Sequence, residues 1–427
     1  MSDPDTFFCE ARAKIKSGIL DTWGIATTEP RLSSPCYLSR VVSYFFVNYR
    51  WKKGLSEMIR VKFLARLVAV LSVMMVAALA LSLFAVTGTG AHAAQVSGGK
   101  GAPRFAQFHQ NISDAALSGS GLVHWSSSFT AEGKTWKFSM VGTNPSKGSA
   151  TTTVPVTIVP LKLVFTGGKT FDGTPQVPQT TGSPLFQKAS FISGTTQYGD
   201  AVARAEFWNS VSSKSPNYHV LVGTPTIAST LTMNIPAADG QTTVDPSSHK
   251  LIGIIDINWF DPQIQTQLTA LKFTANMLPI FLSHNVYLSQ GAPVLANCCI
   301  GGYHNAIANS AGLQTYIWTT EADPGVQGGF SEDVSALSHE MLEWFNDPFT
   351  NNVVPHWISP IAPQYGCNTF LEVGDPLVGV VFTVSGFSGD HLQDVAFFNW
   401  FARQSPSKAI NGLYTYKGTF TGLSKKC

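Results

Sequence analysis

Between Lys272 and Arg403 the chain has no lysine or arginine, yet the same stretch carries eleven carboxylates. They are Glu321, Asp323, Glu332, Asp333, Glu340, Glu343, Asp347, Glu372, Asp375, Asp390 and Asp394. That imbalance restricts what the segment can fold into. Surface acids need no partner, so Asp323, Glu332 and Asp333, in Gly-rich or capping positions, demand nothing. Others sit among Leu, Val and aromatic residues, in HEMLEWF, TFLEVGDPLVG and LQDVAFFNWF. A carboxylate buried in such a setting must be protonated or otherwise compensated. A bound metal ion is the economical source of positive charge, because no local side chain supplies it.

The full chain of 427 residues is only 13% charged, with a formal net charge of +2. It has no Lys/Arg stripe and no basic helix, which excludes the usual electrostatic footprint of a nucleic-acid binder. Leu67–Val86 is an apolar run without charge, preceded by Arg60, Lys62 and Arg66. Ala91-His92-Ala93 follows and suits cleavage before Ala94, so residues 58–93 read as a secretory signal starting at Met58. An uncleaved membrane anchor is the alternative. Either way the body of the protein lies outside, because the basic residues flank the inner end. Residues 1–57 read as a start-site artefact or a short cytoplasmic tail.

The exported part contains Cys298, Cys299, Cys367 and Cys427. Outside the cytoplasm these favour disulfides. Neighbouring cysteines rarely bond each other, so Cys298 and Cys299 are expected to pair with Cys367 and Cys427.

Residues 94–149 are rich in Gly, Ser and aromatics and read as a β-rich N-terminal segment. From 150 to 427 the chain reads as one α/β or α+β domain with a single mixed sheet. TTTVPVTIVPLKLVFTGG gives two β-branched runs broken by Pro155 and Pro160, hence edge strands. YHVLVGTPTI and LIGIIDINWF read as buried central strands. YGDAVARAEFWNSV and DPQIQTQLTALKFTANML read as helices, the second capped by Asp261. PIFLSHNVYLS and LQTYIWTTEA are strands, and VSALSHEMLEWFNDP follows as a helix.

On that helix, residues four apart share a face, offset by only about 40°. His339 and Glu343 therefore point toward one ion. Glu340, about 100° round, flanks the position of an activated water. Asp347 lies one turn further on the same stripe, where Pro348 ends the helix. This is the layout of the HExxH zinc-peptidase helix with its second histidine replaced, giving HExxE. One histidine and two carboxylates bring a zinc site near zero net charge, which weakens the Lewis acid. The harder oxygen donors also suit calcium or manganese.

The strand-then-HE-helix order resembles a zincin, and it implies an α+β fold with a zincin-like mixed sheet. LSHEMLEWFNDPFTN followed by CNTFLEVGDPL is similar to a group of exported bacterial proteins of unassigned function. It is more distantly similar to the plant exordium (phosphate-induced) family. The resemblance spans Val334–Trp400 and covers the upstream sheet loosely; the zincin arrangement implies an edge strand, QTYIWTT, before the helix. It also implies that Glu372 and Asp375 return to the helix, making Glu372 the candidate third ligand. His304, in CCIGGYHNA, is a candidate for polarising a substrate carbonyl. His356 and His391 read as loop residues that are substitutes for Glu372. The FFNWF run, Phe397–Phe401, reads as core. No GxSxG elbow or phosphate-binding glycine loop occurs.

The first functional expectation is an exported metal-dependent hydrolase acting on peptides or a cell-envelope substrate. Its base is Glu340, and its zinc is held by His339, Glu343 and Glu372. The alternatives are a non-catalytic secreted protein of exordium type with a structural ion, and a carbohydrate-binding module using exposed Trp and Tyr. An open site in a cleft favours the enzyme; a shielded site favours the structural ion.

Overall fold

The structure, a computed structural model, describes residues 105–309 and 312–427. The expected signal segment and the residues before it lie outside the described residues.

Five strands build the body of a seven-stranded mixed sheet: β1 (Val156–Phe165), β2 (Leu231–Ile235), β3 (Leu278–His284), β4 (Gly302–Asn309) and β5 (Gly312–Glu321). In space they run β2–β1–β3–β5–β4, and the short strands Thr170–Asp172 and Thr226–Ile227 also pair with β1. The ladder is parallel from β2 to β5, while β4 joins β5 antiparallel as the edge. β1, β3 and β5 are buried almost throughout, which is why they read as continuous apolar runs. Successive side chains still point to opposite faces. Ile158, Ile280 and Ile317 enter one core; Val159, Phe281 and Trp318 enter the other.

Helices α1 (Tyr198–Glu206), α2 (Ile257–Ala270) and α3 (Ser335–Asn346) cover the sheet. α1 and α3 add Ala201, Leu342 and Phe345 to the first core, and α2 adds Phe260, Ile264 and Leu268 to the second. The fold is thus mixed α+β, as expected. A hairpin, His124–Ala131 with Lys134–Val141, turns through Glu132 and Gly133, both at positive φ. That is the backbone twist a two-residue hairpin loop requires. Its Phe138, Met140 and Val141 join the first core, as do Phe397, Phe398, Trp400 and Phe401. Among the described residues no helix is long and apolar enough to cross a membrane.

Several expectations are corrected. QTYIWTT, within β5, is an inner strand; the edge is β4. The Pro-broken run expected at an edge forms β1, in the middle. Pro160 falls between the pairing with Thr226–Ile227, which ends at Ile158, and the pairing with β2, which starts at Leu161. On that side its missing N–H meets no strand in register, while on the other side Pro160 stands opposite Leu282 of β3. YHVLV and LIGIID leave the main sheet: His219–Val222 pairs with Thr151–Val154, and Leu251–Asp256 centres a separate three-stranded sheet. Asp256, not Asp261, caps α2 by accepting from Asn258 N–H at 3.0 Å. Asp261 is buried inside the helix and accepts from the Tyr316 hydroxyl at 2.7 Å. The cysteines pair as Cys298–Cys299 and Cys367–Cys427, not across. A bridge between Ile358 and Lys425 brings the chain end to the Cys367 strand. Cys298 and Cys299 are buried elsewhere, in a small core with Tyr287 and Phe330.

Candidate metal centre

Helix α3 has no Gly or Pro, and all of its residues are buried. It ends at Asn346, with Asp347 at φ −140° and ψ 63°, a conformation that the following Pro348 favours over the helical one. Its apolar sides pack between the sheet and α1, so its polar stripe must find partners inside the protein.

His339 finds them on two sides. Its Nδ1 lies 3.1 Å from Gln393 Oε1, while Gln393 Nε2 donates to the Gly374 carbonyl at 2.7 Å. The Gln393 amide is thereby oriented, and Nδ1–H of His339 is the donor to its oxygen. The other ring nitrogen, Nε2, presents its lone pair to Glu343 Oε1 at 3.0 Å and Asp375 Oδ1 at 3.6 Å. It has no hydrogen-bond partner. Three acceptors facing one another repel unless a proton or a cation lies between them. Zinc with ligands at 2.0–2.1 Å sets tetrahedral neighbours about 3.3 Å apart, close to these separations. A histidine whose outer N–H is held by a carbonyl oxygen is the usual support for a metal ligand. The residues fit a divalent ion.

Gly374 makes the arrangement possible. A Cβ there would stand 2.5 Å from His339 Nδ1. Its N–H also donates to Glu343 Oε1 at 3.1 Å.

A second histidine lies beside the first. His304, on the edge strand β4, places Nδ1 3.2 Å from Glu340 Oε2 and 3.7 Å from Glu343 Oε2. Its Nε2 lies 3.2 Å from the Asp347 carbonyl oxygen. Gly302 lets β4 approach this closely, because a Cβ there would meet Glu340 Cγ at 2.8 Å.

Four carboxylates are thus concentrated in one buried volume: Glu340, Glu343, Glu372 and Asp375. Among the described residues no lysine or arginine forms an ion pair with any of them. Burial, followed by the charges of Glu343 and Asp375, pushes Glu340 well above the usual carboxylate range. Burial does the same to Glu372 and Asp375, with Glu343 first among the neighbouring charges. Glu343 goes the other way: burial pushes it up, but His339 and His304 pull it below its ordinary value. Burial drives His304 down to about 4, so its ring is neutral. Glu340 Oε1 and both Glu372 oxygens are buried without a hydrogen-bond partner. Unpartnered buried oxygens are costly, and their concentration here makes this group a candidate cation site.

The structure therefore brings together His339, Glu343, Glu340 and His304. The oxygen that approaches His339 and Glu343 as a third donor belongs to Asp375, with Glu372 one step further out beside Glu343. Asp347 turns away: its carboxylate accepts the Asn351 and Asn352 N–H groups, a loop-capping role. His356 is exposed beside Cys367, and His391 pairs with Asp333 at 2.5 Å, so neither reaches the centre. Asp394, which looked uncompensated in sequence, accepts from Val395 N–H, Lys417 N–H and the Thr419 hydroxyl. Gln393, Gln107, Gly302 and Gly374 escaped the sequence reading, and no motif announces them.

The centre is covered. Phe105 stacks on the His339 ring at 3.5 Å between centroids, and Gln107 donates to Asp375. Ala106 N–H bonds the Gly302 carbonyl, and Gln110 N–H bonds that of Thr350, fixing residues 105–110 over the site. Comparison with protein-family models, with curated proteins and with solved structures finds no match to this chain.

Proposed function

We propose that this chain is an exported metal-dependent hydrolase of zincin type, acting on a peptide or cell-envelope substrate. The supporting observation is the His339 lone pair, set by Gln393 and aimed at Glu343 and Asp375. His339, Glu343 and Asp375 hold the ion, preferably zinc, with manganese or calcium suited to the oxygen-rich set. A divalent ion held by these residues would supply Lewis-acid polarisation of a scissile carbonyl and activation of water at neutral pH. Glu340 would take the proton of that water on the unpartnered Oε1. Residues 105–110 must move for a substrate to enter.

A second reading, a structural ion without catalysis, is favoured by the burial of the centre: His339 and Glu340 are both 0% exposed. Against it stands Glu340, a buried carboxylate that a structural ion at His339, Glu343 and Asp375 has no use for. An aromatic carbohydrate platform has less support, since no described Trp, Tyr or Phe is among the exposed large side chains.

Metal analysis and peptide-library cleavage, with zinc, manganese or calcium added, separate the readings. Glu340→Gln should keep the ion at His339, Glu343 and Asp375 while hydrolysis falls by a factor on the order of 10² to 10⁴. Glu343→Gln should lower metal content, because a neutral amide is a poor ligand. Phe105→Ala combined with Gln107→Ala should raise activity by loosening the cover. If both the wild type and this uncovered variant bind metal and cleave nothing, the structural-ion reading prevails.

A further inference from the structure

His304 makes the same kind of contact as His339, and nothing in a single-ion centre uses it. A carbonyl oxygen only accepts, so the 3.2 Å contact with Asp347 O puts the ring proton on Nε2. Nδ1 then turns a lone pair toward Glu340 Oε2 at 3.2 Å and Glu343 Oε2 at 3.7 Å. This repeats the pattern at His339: outer nitrogen on a carbonyl oxygen, inner lone pair facing two carboxylate oxygens. The separations again match the edges of a coordination shell of about 3.3 Å.

Glu343 is common to both groups, but through different atoms. Oε1 faces His339 and Oε2 faces His304. We propose that His304, Glu340 and Glu343 hold a second divalent cation, and that the Glu343 carboxylate bridges it to the ion at His339 and Asp375. The inference rests on the reading of that first group as a metal centre.

Carboxylate-bridged pairs sit about 3.5–4 Å apart and clamp both oxygens of a displacement reaction. The donors, one imidazole and two carboxylates per ion, suit zinc or manganese. Glu340 would bind through Oε2 and keep the unpartnered Oε1 for the proton. His304, which in sequence looked like a polarising group for substrate, becomes a ligand.

The test is metal stoichiometry on the full chain, loaded separately with zinc and with manganese and freed of loose ions by gel filtration. The wild type should retain about two ions per chain and His304→Gln about one. Manganese-loaded wild type should give the spin-coupled spectrum of a close pair, and His304→Gln the six-line spectrum of an isolated ion. One ion in the wild type, unchanged in His304→Gln, would overturn this inference and leave the single centre standing. No retained ion would sink the underlying reading as well. Two ions with uncoupled spectra would mean that the second lies elsewhere and that Glu343 is no bridge. Should His304→Gln fail to fold, wild-type stoichiometry and spectrum decide alone.

Discussion

Replacing Gly374 with alanine puts the geometry of the centre to a direct test. The added Cβ would lie 2.5 Å from His339 Nδ1, 2.7 Å from Cε1 and 2.8 Å from Cγ. Near-equal distances to three ring atoms place the methyl over the ring face; an in-plane approach to Nδ1 would leave its neighbours much further away. Phe105 already stacks on the ring, so there is no free face to retreat into. Reaching ordinary contact at 3.4 Å requires a shift of about 0.9 Å. Metal–ligand distances tolerate about 0.2 Å, so a ring displaced that far no longer binds. Gly374 has φ −83° and ψ −34°, an ordinary conformation for alanine, so backbone strain contributes nothing. We expect metal affinity to fall on the order of 100-fold. Overpacking should cost about 1–3 kcal/mol even in chelator. The assays are competition against a fluorescent chelator and thermal melting with and without EDTA. A Gly374→Ala protein that binds metal as the wild type does would refute the placement of His339 as a ligand.

Two further outcomes are expected away from the ligands. Gln393→Leu keeps the bulk but leaves His339 Nδ1 and the Gly374 carbonyl unpartnered, costing about 1–3 kcal/mol in chemical denaturation. Metal affinity should drop 10- to 100-fold in chelator competition. Glu206, fully buried on α1, is pushed by burial to about 8 from 4.5. The folded state then holds a proton that the unfolded state has lost, so stability is full below about pH 4.5 and falls until about pH 8. The fall amounts to at most roughly 5 kcal/mol. Glu206→Gln, whose amide oxygen still accepts from Phe398 N–H, should flatten urea-derived stability across that window. An unchanged slope would remove Glu206 as its source.

The parts of the fold legible in sequence were those decided by a few consecutive residues. β5 and α3 announce themselves as apolar runs of the right length, and Pro348 marks the end of α3. PIFLSHNVYLS, read as one strand, is two, with β3 ending at His284 and Val286–Ser289 pairing in the three-stranded sheet. Strand order was not legible, because it is set by pairings between distant segments. β5 looked like the edge because it directly precedes the HE helix. The actual edge, β4, is a mixed run, GYHNAIAN, with no continuous apolar stretch to announce it. Pro160 misled for a related reason: a proline excludes a strand interior only where a partner stands opposite its nitrogen, and here two short partners leave a gap.

The site divides along the same line. Helical geometry fixes the offset between His339 and Glu343, so spacing alone identified that pair and set Glu340 beside it. The third donor comes from a loop with no period. Glu372 and Asp375 are equally acidic and three residues apart, and only Gln107, far back in the chain, shows that Asp375 is the one held at His339. The tautomers that turn both lone pairs inward depend on the Gln393 side chain and the Asp347 backbone, which carry no sequence signature. A pattern confined to the helix therefore captures the histidine of the first proposed centre but misses His304. In the two-ion proposal that strand residue is what would turn Glu343 from a ligand of one cation into a bridge between two.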